Sequence, residues 1–263
     1  MKNLLVTGIT ASAALSLLAV PADAFSFQTN ATGDGWTDTT SDIWLESIEL
    51  EDGTMVDEFS LINSATIVEN DEYTGGNSGA ASTDIGDTST TGTSVEAPTE
   101  NELVGNLNNL NLNNIIDTED SGSFAIDLFF NDPVDNLLLW ERGMNSALAV
   151  QAVDGAGNLA GNKVTVDFRE LSNDYYAGYK INTQEIGGSQ KVGSYGLTMA
   201  DLGVEDLSIN GFRFFSDSSF NGPDWKIMGT NATRPGGPVD VPEPGTILGL
   251  AAFSGLLAAA RRR

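Results

Sequence analysis

Three carboxylates fall in one short glycine-containing stretch, Asp34-Gly35-Trp36-Thr37-Asp38 with Asp42. Hard cations such as calcium take about six to eight oxygen ligands, and a loop of this kind supplies several. The spacing is not that of an EF-hand, and the glutamate of loop position 12 is absent. Asp117-Thr118-Glu119-Asp120, and Asp154 with Asn158, are weaker clusters of the same type. Calcium is the one ion that these patterns bring into view, and the sequence fixes no metal ligand set and implies no organic cofactor. Paired carboxylates also run glycoside hydrolysis when they stand about 5–10 Å apart. Spacing along the chain singles out no such pair, and in so acidic a sequence clusters also arise from composition alone.

Other chemistries are closed by composition. There is no Cys, so neither disulfides nor thiol catalysis is available. There is no His, which removes the usual general base, the Ser-His-Asp arrangement and the commonest transition-metal ligand. Residues 25–141 hold 24 acids and no Lys or Arg, whereas residues 142–240 hold 11 acids and 8 bases. An acidic half keeps an exported protein soluble or attracts cations. It excludes nucleic acid, whose phosphates need basic side chains. Arg142, the first base after the long acidic stretch, is expected to make a structural ion pair. Trp36, Trp44, Trp140 and Trp225 offer a sugar-stacking platform, but the last three lie in apolar segments and are expected in the core.

The elements that position these groups read as mostly β. Apolar or alternating segments at 43–50, 59–68, 124–130, 136–140, 148–153, 163–168, 175–181, 212–215 and 225–228 are predicted strands. Residues 51–54 form a turn between the first two, and 154–158 a hairpin loop. A short helix is predicted after Thr99, where Thr99-Glu100-Asn101-Glu102 has capping-box spacing and Leu103, Leu107 and Leu110 share a face; the Asn content disfavours it. Residues 198–201 open one further turn that Gly203 closes. The fold class is therefore mainly β, a single antiparallel β-sandwich or jelly roll over residues 25–229 with one or two short helices. Residues 74–99 read as a low-complexity loop and 230–240 as a Pro/Gly linker.

Both ends of the chain are addresses. Lys2, an apolar and small-residue run, and the small residues Ala22 and Ala24 around Asp23 make a signal peptide over 1–24, cleaved before Phe25. At the other end stand Val241, Pro242, Glu243 and Pro244, a hydrophobic segment at 246–260, and Arg261, Arg262 and Arg263. As helices the two runs would flank the domain. The C-terminal run would rise about 22 Å against a hydrocarbon core of about 30 Å, marginal for a permanent span. The arginines form a cytoplasmic stop by the positive-inside rule. These three parts in this order resemble the PEP-CTERM sorting signal. The resemblance implies cleavage by an exosortase near Pro244 and transient anchoring in the inner membrane.

The body resembles a family of exosortase-dependent surface proteins of cyanobacteria. The likeness rests on Asn70-Asp71-Glu72-Tyr73-Thr74-Gly75-Gly76-Asn77, on 114–122, on Trp140-Glu141-Arg142-Gly143-Met144-Asn145 and on 217–224. It implies a secreted surface or extracellular-matrix protein and carries no catalytic residue. The expectation is thus a non-enzymatic exported protein of the cell surface or matrix. Its partners would be the exosortase, the export machinery, the membrane before processing and extracellular polysaccharide. A secreted carbohydrate-binding module, with or without calcium, and a secreted glycoside hydrolase are the alternatives.

Overall fold

The computed structural model describes residues 24–33, 36–185 and 187–231, with Asp38 by its backbone alone. The expected signal peptide up to Asp23, the expected linker from residue 232 and the sorting signal at 241–263 lie outside the described residues.

In chain order the elements are β1 (Phe27–Thr32), β2 (Asp38–Thr39), β3 (Trp44–Leu50), β4 (Met55–Val56), β5 (Ile62–Asn70), β6 (Ala81–Ile85), α1 (Glu100–Leu107), β7 (Asn114–Thr118) and β8 (Phe124–Phe130). Then follow β9 (Asn136–Arg142), β10 (Ala147–Val153), β11 (Leu159–Asp167), β12 (Tyr176–Ile181), β13 (Gln190–Thr198), β14 (Gly211–Ser216) and β15 (Asp224–Thr230). They form a five-stranded sheet β11-β10-β14-β8-β5, a seven-stranded sheet β2-β12-β13-β9-β15-β7-β6 and a three-stranded sheet β1-β3-β4. Pairing is antiparallel except between β2 and β12.

The seven-stranded sheet is the middle of three layers. In β9 the alternation of side chains sends Leu137 and Leu139 into the core shared with the five-stranded sheet. Leu138 and Trp140 go into a second core against β1 and β3. That is why the segment Leu137-Leu138-Leu139-Trp140 is apolar without interruption: both of its faces are covered. β15 divides in the same way, Trp225 and Ile227 to the first core and Met228 to the second.

The mainly β class and the antiparallel sheets are as expected, with a third sheet added to the sandwich. The turn at 51–54 forms, but the strand that returns from it is β4, which pairs with β3. Residues 59–68, read as the return segment, instead run into β5 (Ile62–Asn70), which pairs with β8 in another sheet. Within 74–99, expected as a loop, Ala81–Ile85 forms β6 and pairs with β7. β13 carries glycines for a packing reason. A Cβ on Gly196 would lie 2.3 Å from the Phe25 ring, which covers it.

The helix α1 forms where the capping box lies. The Thr99 hydroxyl accepts from Glu102 N at 3.4 Å, and Thr99 N donates to Glu102 Oε2 at 2.7 Å. Thr198–Met199–Ala200–Asp201 is a turn rather than a helix, tied by Thr198 N to Asp201 Oδ2 at 2.6 Å. The asparagines around α1 are its most consequential residues. Asn106 is fully buried. Its Nδ2 donates to the carbonyls of Asp84, Thr93 and Ile115 at 3.0, 3.1 and 2.9 Å, and its Oδ1 accepts from Thr93 N at 2.7 Å. One side chain thus fastens helix, β6, β7 and the loop between them. Lys226, also buried, donates to the Asn106 carbonyl at 2.6 Å and to Asn109 Oδ1 at 3.1 Å, which occupies the carbonyl end of the helix. Burial lowers its pKa well below the usual lysine value.

Asn106→Ala leaves the buried carbonyls of Asp84 and Ile115 and the part-buried carbonyl and N–H of Thr93 without this partner, the buried ones each worth about 1–3 kcal/mol. Denaturant unfolding is expected to show a loss of at least about 3 kcal/mol, against little change for Asn101→Ala on the exposed face of the same helix.

Candidate functional site

The strongest concentration of ionisable groups lies where β6, β7 and β15 adjoin at one end of the central sheet. Because Ser82 pairs with Asp117 and Asp84 with Ile115, Asp84 and Asp117 project from the same face. Asp224, the first residue of β15, sits across from Arg142 at the end of β9. Glu185 approaches from the segment between β12 and β13, and Glu96 and Glu119 from the loops beside β6 and β7. Glu96, Asp117, Glu119, Glu185 and Asp224 wall a cleft of about 450 Å³ that Asp120, Thr118, Tyr73 and Asn221 also line. Asp84 is not part of that lining, but its carboxylate lies close to those of Asp117 and Glu185.

Arg142 and Asp224 are both buried, and Arg142 Nη1 lies 2.9 Å from Asp224 Oδ2. Arg142 Nη2 also donates to the Gly188 carbonyl at 3.4 Å. Thr118 N donates to Asp224 Oδ1 at 3.4 Å. Asp84 accepts from Ile85 N at 2.7 Å and from Glu185 N at 3.3 Å, so the backbone orients it. Asp117 differs: its polar partners are the carboxyls of Asp224 and Glu185. Burial pushes its pKa well above the usual range, and the neighbouring Asp224 adds to the effect. Glu185 is an exposed residue whose carboxyl nevertheless sits in this group; burial of that carboxyl and its contact with Asp117 drive its pKa up. Burial raises Asp224 to about 6 against the downward pull of Asp117 and Arg142. Burial and Glu185 raise Glu119 to about 7. On the opposite face of β9, burial takes Glu141 to about 8, although it accepts from Ser146 Oγ at 2.6 Å and Met144 N at 2.7 Å.

Two sets of three carboxylates bring one oxygen each within 4.8 Å of one another, Asp84/Asp117/Glu185 and Glu96/Glu119/Glu185. The chemistry on offer is that of hard oxygen ligands or of acids that share protons.

The carboxylates of the first acidic loop go elsewhere. Asp34 and the Asp38 side chain lie outside the described residues. Asp42 is enclosed by donors: the Ser89 hydroxyl, Thr90 N at 3.1 Å, Thr90 Oγ1 at 2.5 Å and Asn111 Nδ2 at 2.7 Å. Burial works upward on it, but these bonds hold its pKa below the usual value. Asp154 accepts from Ala156 N and Asn158 N at 2.9 and 2.8 Å and so builds the hairpin loop. Of the weaker clusters, Asp117-Thr118-Glu119-Asp120 is the one that reaches the cleft. Asp84, Glu96, Glu185 and Asp224 were not singled out from sequence. Arg142 does make the expected ion pair. Trp140 and Trp225 are core residues, the latter stacked on Phe214 and Phe124, whereas Trp44 is 37% exposed.

Ala24 begins the described chain. Ala22, Val241, Pro242, Glu243, Pro244, Arg261, Arg262 and Arg263 lie outside the described residues. Compared with protein families, residues 240–263 match the PEP-CTERM protein-sorting motif. The comparison gives no family for the body of the chain. Neither curated proteins nor solved structures give a match. The motif implies export to the cell surface with processing by an exosortase. Among the described residues no helix is long and apolar enough to cross a membrane.

The raised acids have a definite consequence for pH. Their folded pKa values exceed the unfolded ones, so the folded state holds protons that the unfolded chain releases. The stability this brings is complete below about pH 4 and is lost as pH rises through the 6–8 window set by Asp224, Glu119 and Glu141. Asp42 and Asp167, held below the usual value, lose their contribution only at lower pH. In the presence of a chelator, thermal melting is expected to fall between pH 5 and pH 8. Arg142→Met, which leaves Asp224 buried without its guanidinium, is expected to lose about 3 kcal/mol at pH 8. The loss is smaller at pH 5, where Asp224 takes a proton.

Proposed function

We propose that this is a non-enzymatic protein of the cell surface or extracellular matrix, delivered through its C-terminal sorting signal. The observation that carries the reading is the PEP-CTERM match at residues 240–263, joined to the signal-peptide pattern at 1–24. The domain between them brings a layered β body and an acidic surface. A net charge of −25 keeps such a chain soluble outside the cell and repels nucleic acid. Burial of Trp140 and Trp225 removes two of the four tryptophans from any sugar-stacking platform, which favours a matrix role over a dedicated carbohydrate-binding module. The partners in this reading are the exosortase and export machinery during sorting and extracellular polysaccharide afterwards.

A tagged chain followed by cell fractionation tests this reading in a host with and without its exosortase. The wild type is expected outside the inner membrane and shortened at its C-terminus. Replacement of Pro242, Glu243 and Pro244 by Ala, or loss of the exosortase, is expected to leave an unshortened chain at the inner membrane. Equal release of the altered and normal chains would contradict it.

A further inference from the structure

We propose that the carboxylates of Asp84, Asp117 and Glu185, beside the cleft between β6, β7 and the segment before β13, are the ligands of a calcium site. The proposal is independent of how the chain is sorted. The three carboxylate oxygens lie within 4.8 Å of one another. A calcium ion with Ca–O bonds of about 2.3–2.6 Å spans about 4.6–5.2 Å, so one ion reaches all three. The ligands are all hard oxygens, which excludes the softer transition metals as the preferred occupant.

An acid cluster alone would not single out an ion, since a solvated surface also collects carboxylates. Two features separate this cluster from such a surface. Asp84 and Asp117 are buried, at 0% and 4% exposure, and buried carboxylates are costly unless they meet a cation or donors. Asp84 meets two backbone N–H groups. Among the described residues Asp117 meets the carboxyls of Asp224 and Glu185 and no N–H donor, and Arg142 is engaged with Asp224. Second, Thr118, 4% exposed, lines the same cleft, and its Oγ1 is a buried oxygen without a hydrogen-bond partner. Glu96 Oε2, in the adjoining triad that shares Glu185, is buried without a partner as well. A buried carboxylate without an N–H donor, Asp117, near further buried oxygens with no partner, is what a cation would satisfy.

The ligands come from two paired strands and one loop. The strands fix Asp84 and Asp117, and the loop brings Glu185 across to them. An ion here would therefore tie the 183–190 segment to the edge of the central sheet. The raised pKa values of Asp117 and Glu185 agree with the geometry, because bound calcium must displace the protons that these two acids otherwise retain.

The test uses the full chain in mild detergent, freed of metal with a chelator and titrated with calcium chloride by calorimetry and thermal melting. Saturable binding is expected, with a melting temperature that rises with free calcium. Asp117→Asn and Glu185→Gln are each expected to weaken binding at least about tenfold, the effect that changes outside the ligand shell already produce. Asp117→Asn is expected to fold, since an amide keeps the size of the neutral acid and can donate to the carboxyls of Asp224 and Glu185, and Glu185→Gln on the exposed segment serves as the second arm. The pair Asp34→Asn and Asp38→Asn is expected to leave binding unchanged. Absence of saturable binding would overturn the proposal, as would wild-type affinity in both cleft variants, loss of binding in the Asp34/Asp38 pair, or magnesium binding as tightly as calcium.

Discussion

The middle sheet is covered on both faces, so every polar side chain on its inner strands must be satisfied within the protein. This constraint accounts for the arrangement around it. Lys226, facing the second core, is relieved by the carbonyl end of α1. Glu141, facing the first, takes Ser146 Oγ and Met144 N. Arg142 and Asp224 neutralise one another as cross-strand neighbours. Asp117 and Asp84 stand near the sheet edge, where the cleft opens, and there the supply of donors falls short of the number of carboxylates. The functional candidate is thus one place where internal satisfaction falls short, with Thr118 Oγ1 and Glu96 Oε2 buried without a partner.

Asparagine does much of the satisfying. Asn106, Asn111, Asn113 and Asn114 are all fully buried. Asn111 Nδ2 donates to Asp42 Oδ1 at 2.7 Å, and its Oδ1 accepts from Ile43 N at 2.9 Å, so it links the first acidic loop to the strand that follows. Asn113 Nδ2 donates to the Ser41 carbonyl at 2.6 Å. A carboxamide offers donors and an acceptor without a charge, which suits a chain that has no cysteine and must still fix long connections.

What could be read in advance follows from this physics. Strands rich in apolar residues, such as β8, β9 and β14, announce themselves by composition, and α1 by its capping box. The four consecutive apolar residues of β9 already carried the sign of a strand covered on both sides, and the third layer follows from them. β6, β7 and β13 were missed because Ala81–Ile85 is small and polar, Asn114–Thr118 has only two apolar residues, and β13 is interrupted by Gly193 and Gly196. The asparagines were weighed as poor helix formers, yet their value lies in tertiary hydrogen bonds that local propensity does not contain. The site was legible only in part. Asp117 and Arg142 stood out, but Arg142 meets a carboxylate 82 residues away, and Glu185 contacts Ser82 across 103 residues. Such partners appear only once strand register is known. Sorting, by contrast, is written in a contiguous motif at residues 240–263 and needs no fold to be read.

A crystal structure of the full chain grown with calcium, with anomalous differences recorded, tests the central claim most directly. An anomalous peak between Asp84, Asp117 and Glu185, with the Arg142–Asp224 pair intact beside it, is the result expected of a calcium site. A cleft in which Asp117 touches only protonated carboxyls, with calcium bound elsewhere or nowhere, would contradict it.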